Sequence, residues 1–231
     1  MNIATSSASI INQLSVSNWV QICSTIILAS IAFIAPYVIE RWKVKYRSPK
    51  LKIKFKFAPP DCDQTQWSEG GIKSAVYYFR FLVENIGKSQ AEACEVYLEK
   101  IFKENSAGEM IEDDNFTPIN LKWSGIRNPI ERTIQPGKET YCDLGRIHHP
   151  DYSYQSVYKN ITKKDQDLNK FVFELPERYY SQWDCLMPGK YKIIVSVYSK
   201  NAEKVTRQFN LVWTGKWEDE EKNMFNEIVI R

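Results

Sequence analysis

The 231-residue sequence predicts an antiparallel β-sandwich behind one membrane-spanning helix. Three observations carry that prediction. Residues 1–39 contain no Asp, Glu, Lys or Arg, and residues 19–39 (WVQICSTIILASIAFIAPYVI) form a long apolar run. From residue 50 onward apolar side chains recur at every second position, the period of a strand with one buried face. Aromatic residues make up 13% of the chain, which suits pleated sheets better than helical bundles. The mean hydropathy of −0.43 excludes a polytopic transporter, whose several spans would drive the average well above zero.

At about 1.5 Å per residue, residues 19–39 reach roughly 30 Å, the thickness of a bilayer core. Trp19 at one end, with Tyr37 and Trp42 at the other, sit where interfacial aromatics are expected. Pro36 lies near the end of the run, where a kink or an early stop is tolerated. A cleaved secretory signal is the main rival. Residues 1–18 lack the positive charges such a signal begins with, and the run is followed by Glu40, Arg41, Trp42 and Lys43 rather than a small-residue cleavage site. The reading is therefore a retained anchor.

Residues 41–57 carry eight basic side chains (Arg41, Lys43, Lys45, Arg47, Lys50, Lys52, Lys54 and Lys56) and no acidic one. The remainder, residues 58–231, holds 23 basic against 27 acidic residues, so the alkaline pI comes from this one segment. An acidic body argues against general nucleic-acid binding. The one-sided basic flank predicts a non-cytoplasmic N-terminus (1–18), a transmembrane helix (19–39), a basic juxtamembrane neck (40–49) and a cytoplasmic β-sandwich domain (50–231). The same eight residues are candidate contacts for anionic lipid head groups, beside the plainer role of fixing topology and shielding a strand face.

Within the sandwich, Leu51, Ile53, Phe55 and Phe57 alternate with Lys50, Lys52, Lys54 and Lys56, predicting a strand with one apolar and one cationic face. Further strands are expected at 75–84, 91–101, 119–123, 140–144, 171–175, 191–198 and 205–213. Turn signals separate them: Asn85-Ile86-Gly87, Asn128-Pro129, Pro136-Gly137 and Pro188-Gly189. Residues 83–91 read as strand, tight turn, strand, with Gly87 free to take a positive φ. For the tail, where residues 218–221 are all acidic, two readings stand: a short helix or a final strand through Ile228, Val229 and Ile230.

The V-x-N-x-G-x-x-x-A pattern of residues 83–91, followed by Pro-Gly turns that open later strands, resembles prokaryotic immunoglobulin-like domains of the CARDB and NEW3 kind. The resemblance covers residues 75–213. It implies an immunoglobulin-like sandwich that binds or spaces other molecules, with no catalytic residue to carry over. The long insertion at 146–168 departs from a compact domain of that family.

His148 and His149 precede Pro150 and read as a surface loop, with no His or Cys at metal-ligand spacing. The five cysteines show no C-x-x-C spacing; packed, reduced thiols are expected, and a bridge between Cys142 and Cys185 is the alternative for an exported domain. G-x-S-x-G, P-loop and H-E-x-x-H motifs do not occur. No catalytic role, cofactor or metal is therefore expected.

Tyr152, Tyr154 and Tyr158 make residues 149–169 a candidate partner loop, and residues 58–71, with Trp67, have the same ambiguity between partner contact and packing. A small-residue stripe in the span (Thr25, Ala29, Ala32, Pro36) permits self-association, the default being a lone anchor. Two function classes emerge. One is a membrane-tethered, non-catalytic binding module at the inner leaflet. The other is an exterior adhesion module of opposite topology, with sequons at Asn115 and Asn160.

Overall fold

The computed structural model describes residues 4–69, 72–125, 130–150, 169–176 and 184–231. It divides into two compact units, Met1–Arg47 and Ser48–Arg231.

The first unit is one helix, α1 (Ala4–Arg47), which contains a segment, Asn18–Trp42, long and apolar enough to cross a membrane. The helix passes through Pro36 and overruns the apolar stretch at both ends, so residues 40–47 of the basic segment are helical. Three hydroxyls within the apolar segment are satisfied locally. Ser24 Oγ and Thr25 Oγ1 donate to the Gln21 carbonyl at 2.9 and 2.8 Å, and Ser30 Oγ donates to the Ile26 carbonyl at 2.8 Å. Back-bonding of this kind satisfies these three hydroxyls without water, as a hydrocarbon environment requires.

The second unit is an antiparallel sandwich of two sheets. One sheet runs β1 (Leu51–Lys54), β3 (Ile72–Asn85), β9 (Glu139–His148), β10 (Phe171–Phe173) and β11 (Cys185–Leu186). In this sheet β2 (Cys62–Glu69) continues the edge that β1 begins along β3, and β7 (Lys122–Trp123) adds to β9. The other sheet runs β14 (Ile228–Ile230), β13 (Val205–Trp213), β12 (Gly189–Tyr198), β4 (Ala91–Glu104) and β5 (Met110–Glu112). There β8 (Arg132–Ile134) and β6 (Ile119–Asn120) share the outer edge of β4 with β5. Long strands thus form the framework, and short ones take turns along their edges.

The period of two becomes the core. Tyr77, Phe79, Phe81 and Val83 of β3 face Val96 and Leu98 of β4, Ile193, Val195 and Val197 of β12, and Phe209, Leu211 and Trp213 of β13 within one buried cluster. Removing each such side chain from water contributes about 1.5–3 kcal/mol. Where a core aromatic carries a polar atom, the fold supplies a partner. The Trp213 and Trp123 indole N–H groups donate to the Asn169 and Ile130 carbonyls at 3.1 and 3.2 Å. The Tyr77 hydroxyl reaches the carbonyls of Glu218 and Asp219 at 3.1 Å.

Several expectations are corrected. The Lys-rich strand ends at Lys54: Phe55 and Phe57 still pack on the core, but the backbone breaks away before residues 58–61. Residues 62–69, expected as part of a loop, form β2. Residues 119–123 split into β6 and β7, which belong to different sheets. The tail holds both of its readings in succession, α2 (Glu221–Glu227) followed by β14.

Residues 83–91 do not make a hairpin, because β3 and β4 lie in opposite sheets. The segment between them crosses the sandwich, and its fixed point is Asn85, fully buried. Asn85 Oδ1 accepts from the Lys50 and Gly87 amides at 3.2 and 2.9 Å. Its Nδ2 donates to the Ser89 and Ile134 carbonyls at 2.8 and 2.9 Å, so all four side-chain bonding positions are filled. Gly87 is required by proximity and not by a positive φ: a Cβ there would lie 2.3 Å from the Lys50 nitrogen. Gly137 does take a positive φ, 67°, in the Pro-Gly turn that packs beside Asn85.

Asn85→Ala strands several buried polar groups, each costing about 1–3 kcal/mol, and should lower unfolding stability by at least about 3 kcal/mol. Gly87→Ala should be comparably damaging. Urea denaturation of the full chain in detergent micelles, followed by tryptophan emission, measures both; a loss under 1 kcal/mol for Asn85→Ala would remove this residue from its structural role.

Candidate functional site

The residues singled out by sequence fall into three places. Arg41 and Arg47 are exposed on α1, Arg41 with its guanidinium 5.5 Å from the centre of the Tyr37 ring. Lys43 and Lys45 lie on the same helix. Lys50, Lys52 and Lys56 are exposed on the sandwich. Lys54 is engaged: its Nζ lies 2.7 Å from the Glu84 carboxylate, and that hydrogen-bonded pairing raises its pKa. Tyr152, Tyr154 and Tyr158 lie outside the described residues.

The apolar part of α1 is uncovered by the protein itself. None of its most hydrophobic window is buried, and Phe33 is 88% exposed. A soluble core helix hides such a surface. This one presents it on all sides, with aromatic residues Trp19, Tyr37 and Trp42 near the ends.

On the sandwich, sequence reasoning missed a polar cluster on the face of the first sheet that looks away from the core. His148, expected in a surface loop, is the last residue of β9 and only 2% exposed. It alternates with Ile147, which enters the core, so His148 shares its face with Arg146. The Arg146 Nε–H donates to His148 Nε2 at 2.7 Å, and the guanidinium also pairs with Glu174. Trp67 of β2 caps both, its ring centre 5.2 Å from the Arg146 guanidinium and 5.0 Å edge-on from the His148 ring.

His148 Nε2 is occupied as an acceptor by Arg146, whose guanidinium lies between the imidazole and the Glu174 carboxylate. Removing one partner of a buried pair such as Arg146 and Glu174 costs about 3–5 kcal/mol, because the other charge is left buried and uncompensated between β9 and the residue that follows β10. The individual residue types were visible in the sequence. Their convergence was not, because Trp67 and Arg146 meet only through the β2–β3–β9 register.

The cysteines are all free thiols, and Cys142 and Cys185 form no bridge. Burial pushes the Cys62 thiol up to about 12 and Cys185 to about 11; it also raises Cys94 and Cys142. None of the four offers the thiolate that nucleophilic or redox chemistry needs at neutral pH. Asp143 is raised by burial, against the opposing hydrogen bond from the Ser124 hydroxyl. Among the described residues no three His, Cys, Asp or Glu side chains gather as a metal site.

No protein-family model matches this chain, and no curated protein matches it in sequence.

The thiols give a pH prediction. The folded chain keeps thiol protons that the unfolded chain releases, so stability should fall as pH climbs from the free-thiol value of 9.0 toward about 12. In the native chain at pH 8, Cys62, Cys94 and Cys142, the three buried thiols, should resist a thiol-reactive dye and become reactive on unfolding. Prompt labelling of any of them at pH 8 would contradict the packing described.

Proposed function

We propose that this chain is a single-pass membrane protein that holds a non-catalytic, immunoglobulin-like β-sandwich at the cytosolic face as a binding module. The observation that carries the reading is the segment Asn18–Trp42, with a mean hydropathy of 2.2 and no burial within the protein. Thirteen large apolar side chains from Trp19 to Trp42 stand exposed. At about 1.5–3 kcal/mol each, removing them from water is worth on the order of 20 kcal/mol or more, and a bilayer provides that environment. The eight basic residues that follow support retention of the sandwich in the cytosol, as do its free thiols.

The binding role rests on what such a tether does. Confinement to one membrane raises the local concentration of any partner sharing it, so modest affinity suffices. The thiols that burial holds protonated favour recognition over chemistry. The likeness of residues 75–213 to CARDB- and NEW3-type domains supports the same role.

The expected result of alkaline carbonate extraction is that the full chain stays with the membrane pellet. Ile27→Lys with Ile31→Lys places two charges mid-span at a cost of about 2.5–3.5 kcal/mol each and should move the chain to the supernatant. Release of the unmodified chain would overturn the anchor. A hydrolytic or transfer activity of the purified chain, abolished by a point substitution, would overturn the non-catalytic reading.

A further inference from the structure

The corner of the sandwich built around Asn85 brings together residues that are distant in sequence. Asn85 lies between the start of β1 and the turn that precedes β9: its amide donates to the Lys138 carbonyl at 3.0 Å, and its carbonyl accepts from the Gly137 amide at 2.8 Å. On the β1 side, the Ile86 amide donates to the Lys50 carbonyl at 2.8 Å, and the Lys88 amide reaches the Ser48 carbonyl at 3.4 Å. Lys50 and Lys138 therefore flank one short segment while their side chains are exposed. Lys52 and Lys88 are exposed beside them. At the tip of the segment stands Ile86, an apolar side chain 47% exposed among these cations.

Two acidic residues share this end of the sheet, Glu84 and Glu139, which face each other across β3 and β9. Glu84 is engaged by Lys54. The larger acidic concentration lies elsewhere. Residues 218–221 sit at Tyr77, whose hydroxyl donates to the Glu218 and Asp219 carbonyls. Tyr77 precedes Asn85 by eight positions on β3, roughly 25 Å along an extended strand. The Debye length at physiological ionic strength is about 8 Å, so the acidic end does not neutralise the basic corner.

We infer that this corner is a second membrane contact, in which Lys50, Lys52 and Lys138 meet anionic lipid head groups and Ile86 enters the interface between them. The occupant is the leaflet itself. Only residues 48–50 separate α1 from β1, and they are part of the corner, so Lys50 and Lys52 lie within a few residues of the anchor along the chain. An apolar tip ringed by cations matches a surface that is anionic outside and apolar beneath. The inference rests on the anchored reading above and adds to it a fixed docking face for the sandwich.

The test uses the full chain in nanodiscs of phosphatidylcholine alone, or mixed with phosphatidylglycerol. An environment-sensitive dye is attached through Ile86→Cys, or through Ser68→Cys at the far end of β2, in a Cys23→Ser, Cys185→Ser background; the other thiols are buried. The expected result is blue-shifted, lipid-quenchable emission at position 86 in the anionic discs only, reversed by high salt, with position 68 remaining water-like. Each of Lys50→Gln and Lys138→Gln should lower the docked-to-undocked ratio about five-fold, the equivalent of one lysine at an anionic surface. Water-like emission at position 86 in anionic discs, with the chain still resistant to carbonate, would overturn the docking and leave the anchor standing. Equal burial in neutral discs would overturn the role assigned to the lysines. Release of the chain by carbonate would remove both readings together.

Discussion

The hydrogen bonds of the Asn85 side chain hold together the part of the sandwich on which the rest depends. They join the start of β1, the crossing from β3 to β4, and the end of β8. Those segments belong to both sheets, so one buried amide fixes how the sheets begin relative to each other. Asparagine suits the position because it offers two donors and two acceptor sites in a compact group, and burial makes any unfilled site expensive. Gly87 completes the arrangement by letting the crossing segment lie directly on residues 48–50. The consequence reaches beyond stability, since the main-chain bonds of Asn85 to Gly137 and Lys138, and of Ile86 to Lys50, gather Lys50, Ile86 and Lys138 at the same corner.

Much of this fold was legible in the sequence. The apolar alternation of residues 75–84, 91–101, 191–198 and 205–213 became β3, β4, β12 and β13, because a strand with one face in a core must alternate. The short strands were harder to read. β2 has polar residues on much of its length, and its place is set by pairing with β3 rather than by its own pattern. β5 is three residues long, and β6 and β7 two each, too few for a period to register.

The site-level readings fared according to how much they depended on distant partners. Residues 83–91 carried a turn signature whose local meaning, a hairpin, was overridden by the requirement that β3 and β4 occupy different sheets. His148 looked like a loop residue because Pro150 follows closely. It became a buried acceptor because Arg146 and Trp67 converge on it through sheet register. The basic run was visible as composition, but composition did not show that Glu84 would engage Lys54 or that Lys138 would join the remainder.

An apolar helix that the protein leaves uncovered runs into a basic corner at the start of β1, and an acidic run lies roughly 25 Å away along β3. This polarity suits a sandwich held beside an anionic leaflet with its far end available to partners. The most direct test is the side of the membrane on which the C-terminus lies, read from paired reporter fusions after Arg231, one active only in the cytosol and one only outside it. The account predicts a cytosolic signal. An exterior signal would contradict it, by placing the basic corner and the free thiols on the side where neither has the role described.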